Sequence, residues 1–249
     1  CVLLNQVFQL IRDENGNSIL VSDPQEDVVE QYALEGTYMG VFAPSGGVDN
    51  TILDNIRGIS LDPANGNLLV SVGGGANADS IAEFDTAGNY LGNRVANGAG
   101  GLDSPFDILV RPADLLTGGI TSDMIHSYDL MGGSPAIFAP IDNFPEQLAI
   151  SSTGGILAAN FGGAQEGIVE FDPAGTVIGV YNPASIGGNR GAFELPNGNI
   201  LTTNGAGVHE VDRLGNLVET KIMGVRARFI EFIGPTAPPL PPAAQVPTL

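Results

Sequence analysis

Short apolar stretches alternate along this chain with clusters of Asn, Asp, Gly and Pro, and the alternation repeats. "NGNLLVSV" (65–72) sets an Asn-Gly turn before a β-rich run. "NGNSILVSD" (15–23), "TGGILAANFG" (153–162) and "PNGNILTTNG" (196–205) repeat the arrangement. Asn-Gly between apolar segments is a hairpin signal, because its residues accept the positive φ that tight turns need.

A second pattern follows each hairpin. "IAEFDTAGNYLGNRV" (81–95), "IVEFDPAGTVIGVY" (168–181) and "VHEVDRLGNLVETKI" (208–222) share it, and "VVEQYALEGTYMGVF" (28–42) and "MIHSYDLMGGSPAIF" (124–138) are looser copies. Each carries a glycine at the fourth position of a turn: Gly36, Gly88, Gly132, Gly175 and Gly215. In four copies Asp85, Asp129, Asp172 or Asp212 opens that turn. Asp caps such a turn with its carboxylate, and Gly takes the left-handed conformation without strain.

Ahead of each hairpin lies another strand: "IRGISLD", "PFDILVR", "PEQLAIS" or "RGAFELP". Four strands repeating about every 40–45 residues predict a propeller blade. The expected fold is all-β, a five-bladed β-propeller of four-stranded antiparallel blades at about 7–44, 56–96, 104–140, 145–182 and 189–223. One strand is surplus, since Val7–Asp13 and Arg226–Phe232 both have the character of a first strand. The chain divides into an apolar lead (1–6), the propeller (7–233) and an extended Pro-rich tail (234–249).

Charge narrows the function. The formal net charge is −19, with 9 Lys+Arg against 28 Asp+Glu. That argues against nucleic acid, whose phosphates need basic patches, and suits a soluble extracellular protein. No stretch reaches the ~18 apolar residues of a membrane span. The single cysteine, Cys1, permits no internal disulfide.

The basic residues are few, and their placement is informative. The first strands align at Arg57-Gly58, Phe106-Asp107, Glu146-Gln147, Arg190-Gly191 and Arg228-Phe229. A propeller's first strands line its channel, so Arg57, Arg190 and Arg228 are expected in a collar with Glu146 as internal partner. Such a collar would hold a small anion or a carboxylate-bearing sugar. Alternatively, each arginine pairs with an acid of the neighbouring blade and ties the ring together.

No catalytic constellation is readable. His126 and His209 lack a second ligand at metal spacing and fall at equivalent positions of different blades. "DENGN" (13–17) resembles the start of a calcium loop but lacks its closing acid, so turn chemistry explains it. "SVGGGANADS" (71–80) is expected as a loop. Neither metal nor cofactor is expected.

The blade pattern resembles NHL-type β-propellers, whose repeats end in "F-D-x-x-G", over about residues 7–233. Some NHL-like propellers are lyases, and a related group hydrolyses lactones with an axial metal. Their Glu, Asn and Asp set has no residue-by-residue match here. "VPTL" (246–249), after a Pro/Ala spacer, resembles the opening of PEP-CTERM/IPTL sorting signals of Gram-negative bacteria. That resemblance implies export to the cell surface or extracellular matrix. The expected function is non-enzymatic: structural assembly or adhesion there, among surface or matrix components. Self-association through the terminal segments would allow it to form filaments. The alternatives are anion or acidic-sugar binding in the channel, or a lyase- or lactonase-like enzyme.

Overall fold

A computed structural model describes residues 7–232. The expected lead (1–6) and tail (234–249) lie outside the described residues.

Among the described residues, twenty strands form five sheets, each of four antiparallel strands in chain order. Blade one holds β1 (Leu10–Arg12), β2 (Ser18–Asp23), β3 (Val28–Ala33) and β4 (Tyr38–Ala43). Blade two holds β5 (Ile56–Leu61), β6 (Leu68–Val72), β7 (Ser80–Phe84) and β8 (Tyr90–Val95). Blade three holds β9 (Pro105–Val110), β10 (Leu115–Gly119), β11 (Met124–Tyr128) and β12 (Ala136–Pro140). Blade four holds β13 (Pro145–Ile150), β14 (Ile156–Asn160), β15 (Gly167–Phe171) and β16 (Val177–Tyr181). Blade five holds β17 (Gly191–Glu194), β18 (Ile200–Thr203), β19 (Gly207–Val211) and β20 (Leu217–Met223). The protein is a five-bladed β-propeller.

Strand periodicity explains the packing. Successive side chains face opposite ways, so a second strand buried on both faces serves two neighbours. Val70 of β6 packs with Leu20 and Val29 of blade one. Leu69, the adjacent residue, packs with Ile108 and Leu115 of blade three. Leu116 of β10 and Ala158 of β14 meet between blades three and four, and Leu157 meets Ile200 between blades four and five.

The Asp-x-x-Gly turn works as its chemistry requires. Asp85 Oδ1 accepts the backbone N–H groups of Ala87 and Asn89 at 2.9 Å each. Asp129, Asp172 and Asp212 make the same two bonds in their own turns. The glycines also lie against the preceding blade. A methyl on Gly132 (φ 79°) would overlap the carbonyl oxygen of Arg94, and one on Gly88 would overlap that of Phe42. At Gly36, in blade one, nothing lies within 4 Å.

Arg94 adds a tie that charge counting did not reveal. It is buried, pairs with Asp62 and Glu83 at 2.9 and 2.6 Å, and donates to the Leu130 carbonyl of blade three.

Near the axis, polar groups join each blade to the next. Gln9 Oε1 accepts the Ile59 N–H at 2.7 Å. The Ser71 hydroxyl donates to the Phe106 carbonyl at 2.8 Å. Asp107 Oδ2 accepts the Leu148 N–H at 2.8 Å, and Gln147 Oε1 that of Ala192 at 3.0 Å.

Arg226–Phe232, the surplus first-strand-like segment, joins none of the five sheets. It continues the axial series instead. The Thr203 hydroxyl donates to the Arg228 carbonyl, as Ser71 does to Phe106. Gln147 brackets Ile230, accepting its N–H at 2.9 Å and donating to its carbonyl at 2.8 Å. Gln9 Nε2 donates to Glu231 at 2.7 Å. The segment therefore takes the inner-strand position beyond blade five and is held by its own subunit. Of the two candidates for a first strand, Val7–Asp13 supplies β1 of blade one, and Arg226–Phe232 lies elsewhere on its own subunit rather than being offered to a neighbouring molecule; the other terminal residues, 1–6 and 234–249, lie outside the described residues.

Candidate functional site

The four residues singled out by register meet at the axis. Glu146, in β13, is wholly buried. Its Oε1 accepts from Arg190 Nη1 at 2.5 Å, and its Oε2 lies 3.7 Å from Arg228 Nη1. That second oxygen accepts no hydrogen bond among the described residues. Burial raises the Glu146 carboxyl to about 7, against the pull of Arg190, Arg228 and Arg57.

Arg57 differs from the other two. Its Nη1 donates to the Ser104 hydroxyl at 2.9 Å and the Pro105 carbonyl at 3.0 Å, both neutral acceptors. Burial lowers its pKa to about 10, leaving it cationic at neutral pH. Three guanidinium groups thus surround one carboxylate. Neither of the two alternatives holds in pure form, because Arg190 and Arg228 share Glu146, while Arg57 makes no direct ion pair among the described residues and feels Glu146 and Asp79 only at longer range.

Each guanidinium also covers a phenyl ring. Arg57 lies 5.3 Å from the Phe106 centroid, Arg190 4.4 Å from Phe161 and Arg228 3.9 Å from Phe8. The quadrupole of an aromatic face favours a cation there. Phe106 is a hub, with Phe8, Phe144 and Phe229 at 5.5–5.8 Å. Beside Arg228 a cavity of about 390 Å³ opens, lined by Phe8, Leu10, Thr203, Val208 and Ile230 among others.

Sequence reasoning missed this aromatic floor, although Phe8, Phe106 and Phe229 open first strands or stand in their place. It also missed Ser104 and Gly73. A methyl on Gly73 would stand 2.7 Å from Arg57 Nη1, so that glycine makes room for the guanidinium. "SVGGGANADS", expected as plain loop, holds a 3₁₀ turn at Gly75–Asn77.

The histidines stay apart. His126 in β11 bonds Ser122 at 2.8 Å, and His209 in β19 bonds Asn204 and Thr220 at 3.0 Å. The Asp13 carboxylate is used by its own turn, accepting from Asn17 N–H and the Ser18 hydroxyl.

Comparison with solved structures gives many likenesses at low identity. A gluconolactonase from Xanthomonas campestris aligns over 91% of this chain and 79% of its own, at 16% identity and TM-score 0.73. A chain of a nidogen/laminin complex aligns over 90% and 83%, at 16% identity and TM-score 0.71. Virginiamycin B lyase from Staphylococcus aureus aligns over 90% and 73%, at 13% identity and TM-score 0.63. They share the propeller fold with this chain. No protein-family description matches the sequence, and no curated protein matches it.

These neighbours correct the expectation of a non-enzymatic protein. Two of them are enzymes by name. The absence of a contiguous motif is a poor guide in such a fold, because axial residues come from strand starts some forty residues apart in sequence.

Proposed function

We propose that the protein binds a small hydroxy acid, of the acidic-sugar class, at the axial collar. The observation that carries this is the unequal use of charge: three arginines around one ion-paired carboxylate, Glu146, with Arg57 hydrogen-bonded only to neutral oxygens. A ligand carboxylate supplies the missing anion for Arg57, through charge-assisted bonds. A ligand hydroxyl satisfies Glu146 Oε2, which otherwise stays a buried acceptor without a donor. The cavity beside Arg228 is of small-ligand size. A neighbour named as a gluconolactonase, an enzyme of sugar-acid lactones by that name, suits this ligand class.

Calorimetric titration with gluconate, glucuronate and glucose tests the reading. The two acids are expected to bind and neutral glucose not to, and Arg57→Ala with Arg190→Ala is expected to abolish uptake. No heat with either acid, or equal uptake by the double variant, overturns it.

The setting we propose is the surface or matrix of a Gram-negative bacterium. The acidic composition and the "VPTL" resemblance support it. Fractionation of cells expressing the full-length gene tests it; recovery only in cytoplasm would refute it.

A further inference from the structure

Arg57, Phe106, Glu146 and Arg190 share one register, and the residue two places before each of them is left-handed. Asn55 stands at φ 52°, Ser104 at 54°, Phe144 at 76° and Gly188 at 65°. The propeller requires that conformation, because the chain turns there from an outer strand into the next first strand. Asn, Ser and Gly accept it, whereas a bulky side chain is strained in it. Blade four nevertheless places phenylalanine there. The turn itself needs no phenyl ring, and strain of this kind gathers at ligand clamps.

The strained ring has a partner. Phe144 is half-buried and meets Phe161 at 5.6 Å between centroids. Phe161 opens the loop between β14 and β15 and is 37% exposed. Its N–H donates to the Phe144 carbonyl at 3.1 Å, which fixes the two residues against each other. Gly188 leaves the edge of the pair clear, since a methyl there would stand 3.0 Å from Phe161 Cε2. Asn143, which is exposed, adds an amide beside the rings. Phe144 and Phe161 flank the cross-strand pair Pro145–Asn160, as Asn55 and Gly73 flank Ile56–Val72 in blade two. The rings therefore lie on the same face of the propeller as the surroundings of Arg57. Arg190 joins them to the collar, covering Phe161 at 4.4 Å while pairing with Glu146 at 2.5 Å.

We propose that Phe144 and Phe161 form a stacking subsite for a second sugar ring, so that the acid held at the collar is the terminal unit of a saccharide of two or more rings. This rests on the collar reading and extends it. The C–H face of a pyranose is apolar and covers a phenyl ring, and small-ligand sites combine aromatic walls with a few placed polar groups. A sugar ring suits the place better than a plain apolar group, because its hydroxyls find the Asn143 amide and the guanidinium N–H groups that Arg190 keeps beyond its bond to Glu146.

Calorimetric titration of the full chain with glucuronate and with cellobiuronate tests this. Both carry one carboxylate, and the second adds a neutral glucose ring. The disaccharide is expected to bind about 3–10-fold more tightly, the scale of one aromatic contact. Phe144→Asn, which sets the blade-two residue into the same turn, and Phe161→Ala are each expected to remove that preference, while Phe161→Tyr keeps it. The ratio of the two affinities is the readout, because Phe161 also supports Arg190, and circular dichroism verifies that each variant is folded. Equal affinities in the parent, or a preference that survives both substitutions, overturns the subsite and leaves the collar reading standing. A larger gain from phenyl glucuronide than from cellobiuronate overturns the sugar assignment in favour of an aryl group. No binding of either acid overturns both readings.

Discussion

Replacing Gly132 by alanine separates two roles that the turn glycine plays. At φ 79° an alanine is strained in the left-handed region by about 1–2 kcal/mol. Gly36, at φ 87°, carries that strain alone, because nothing lies within 4 Å of its added methyl. At Gly132 the methyl would also overlap the Arg94 carbonyl of blade two. Arg94 cannot easily withdraw, since its side chain is buried between Asp62 and Glu83 and donates to Leu130. Overpacking of this kind costs about 1–3 kcal/mol more. Gly36→Ala is therefore expected to lose about 1–2 kcal/mol, and Gly132→Ala about 2–5 kcal/mol. Urea unfolding followed by circular dichroism reads both, with the slope of the transition checked for constancy. Equal losses in the two variants would refute the idea that these glycines set the distance between blades.

Arg57→Ala is expected to weaken gluconate binding about 10–100-fold, the worth of one charge-assisted contact, and titration calorimetry reads it. Burial raises Asp107 to about 7; the folded state then holds a proton between about pH 4 and 7 that the unfolded state releases. Stability is accordingly expected to fall as pH rises through that window, by up to about 1.4 kcal/mol per unit from Asp107; Glu146 and Glu231, which desolvation also raises to about 7, add to the slope, so Asp107→Asn should reduce it without abolishing it in urea midpoints taken from pH 4.5 to 7.5. Gly191→Ala puts a methyl 2.5 Å from the Arg228 carbonyl oxygen and 2.6 Å from Thr203 Oγ1. It should loosen 226–232, seen as faster proteolytic cleavage there, with unchanged cleavage arguing that the segment is held elsewhere.

The parts of this molecule legible in its sequence are those set by local chemistry. Asp85 and Gly88 encode their turn within four residues, so strand order and blade boundaries follow from the repeat. The collar was legible by register, because equivalent positions in a ring converge whatever their separation along the chain. The acceptors of Arg57 were not legible. Ser104 and Pro105 belong to the next blade, and only the handing of bonds from blade to blade brings them near. The route of 226–232 was hidden for a related reason. Its composition matches a first strand, but its partners Gln9, Gln147 and Thr203 come from three different blades.

That same segment orders events during synthesis. Every ladder among the described residues joins strands consecutive in the chain, so each blade's hydrogen bonds close within its own forty or so residues, and its core is buried as the neighbouring blade follows. Residues 226–232 have no such freedom, because Gln9 lies 222 residues before its partner Glu231 and Gln147 lies 83 before Ile230. Closing so long a loop is slow unless the intervening chain is already shaped. The segment thus latches a finished arc of blades, and Arg228 joins the collar at that moment. A nascent chain stalled after blade five would carry five folded sheets but lack one of the collar's three cations.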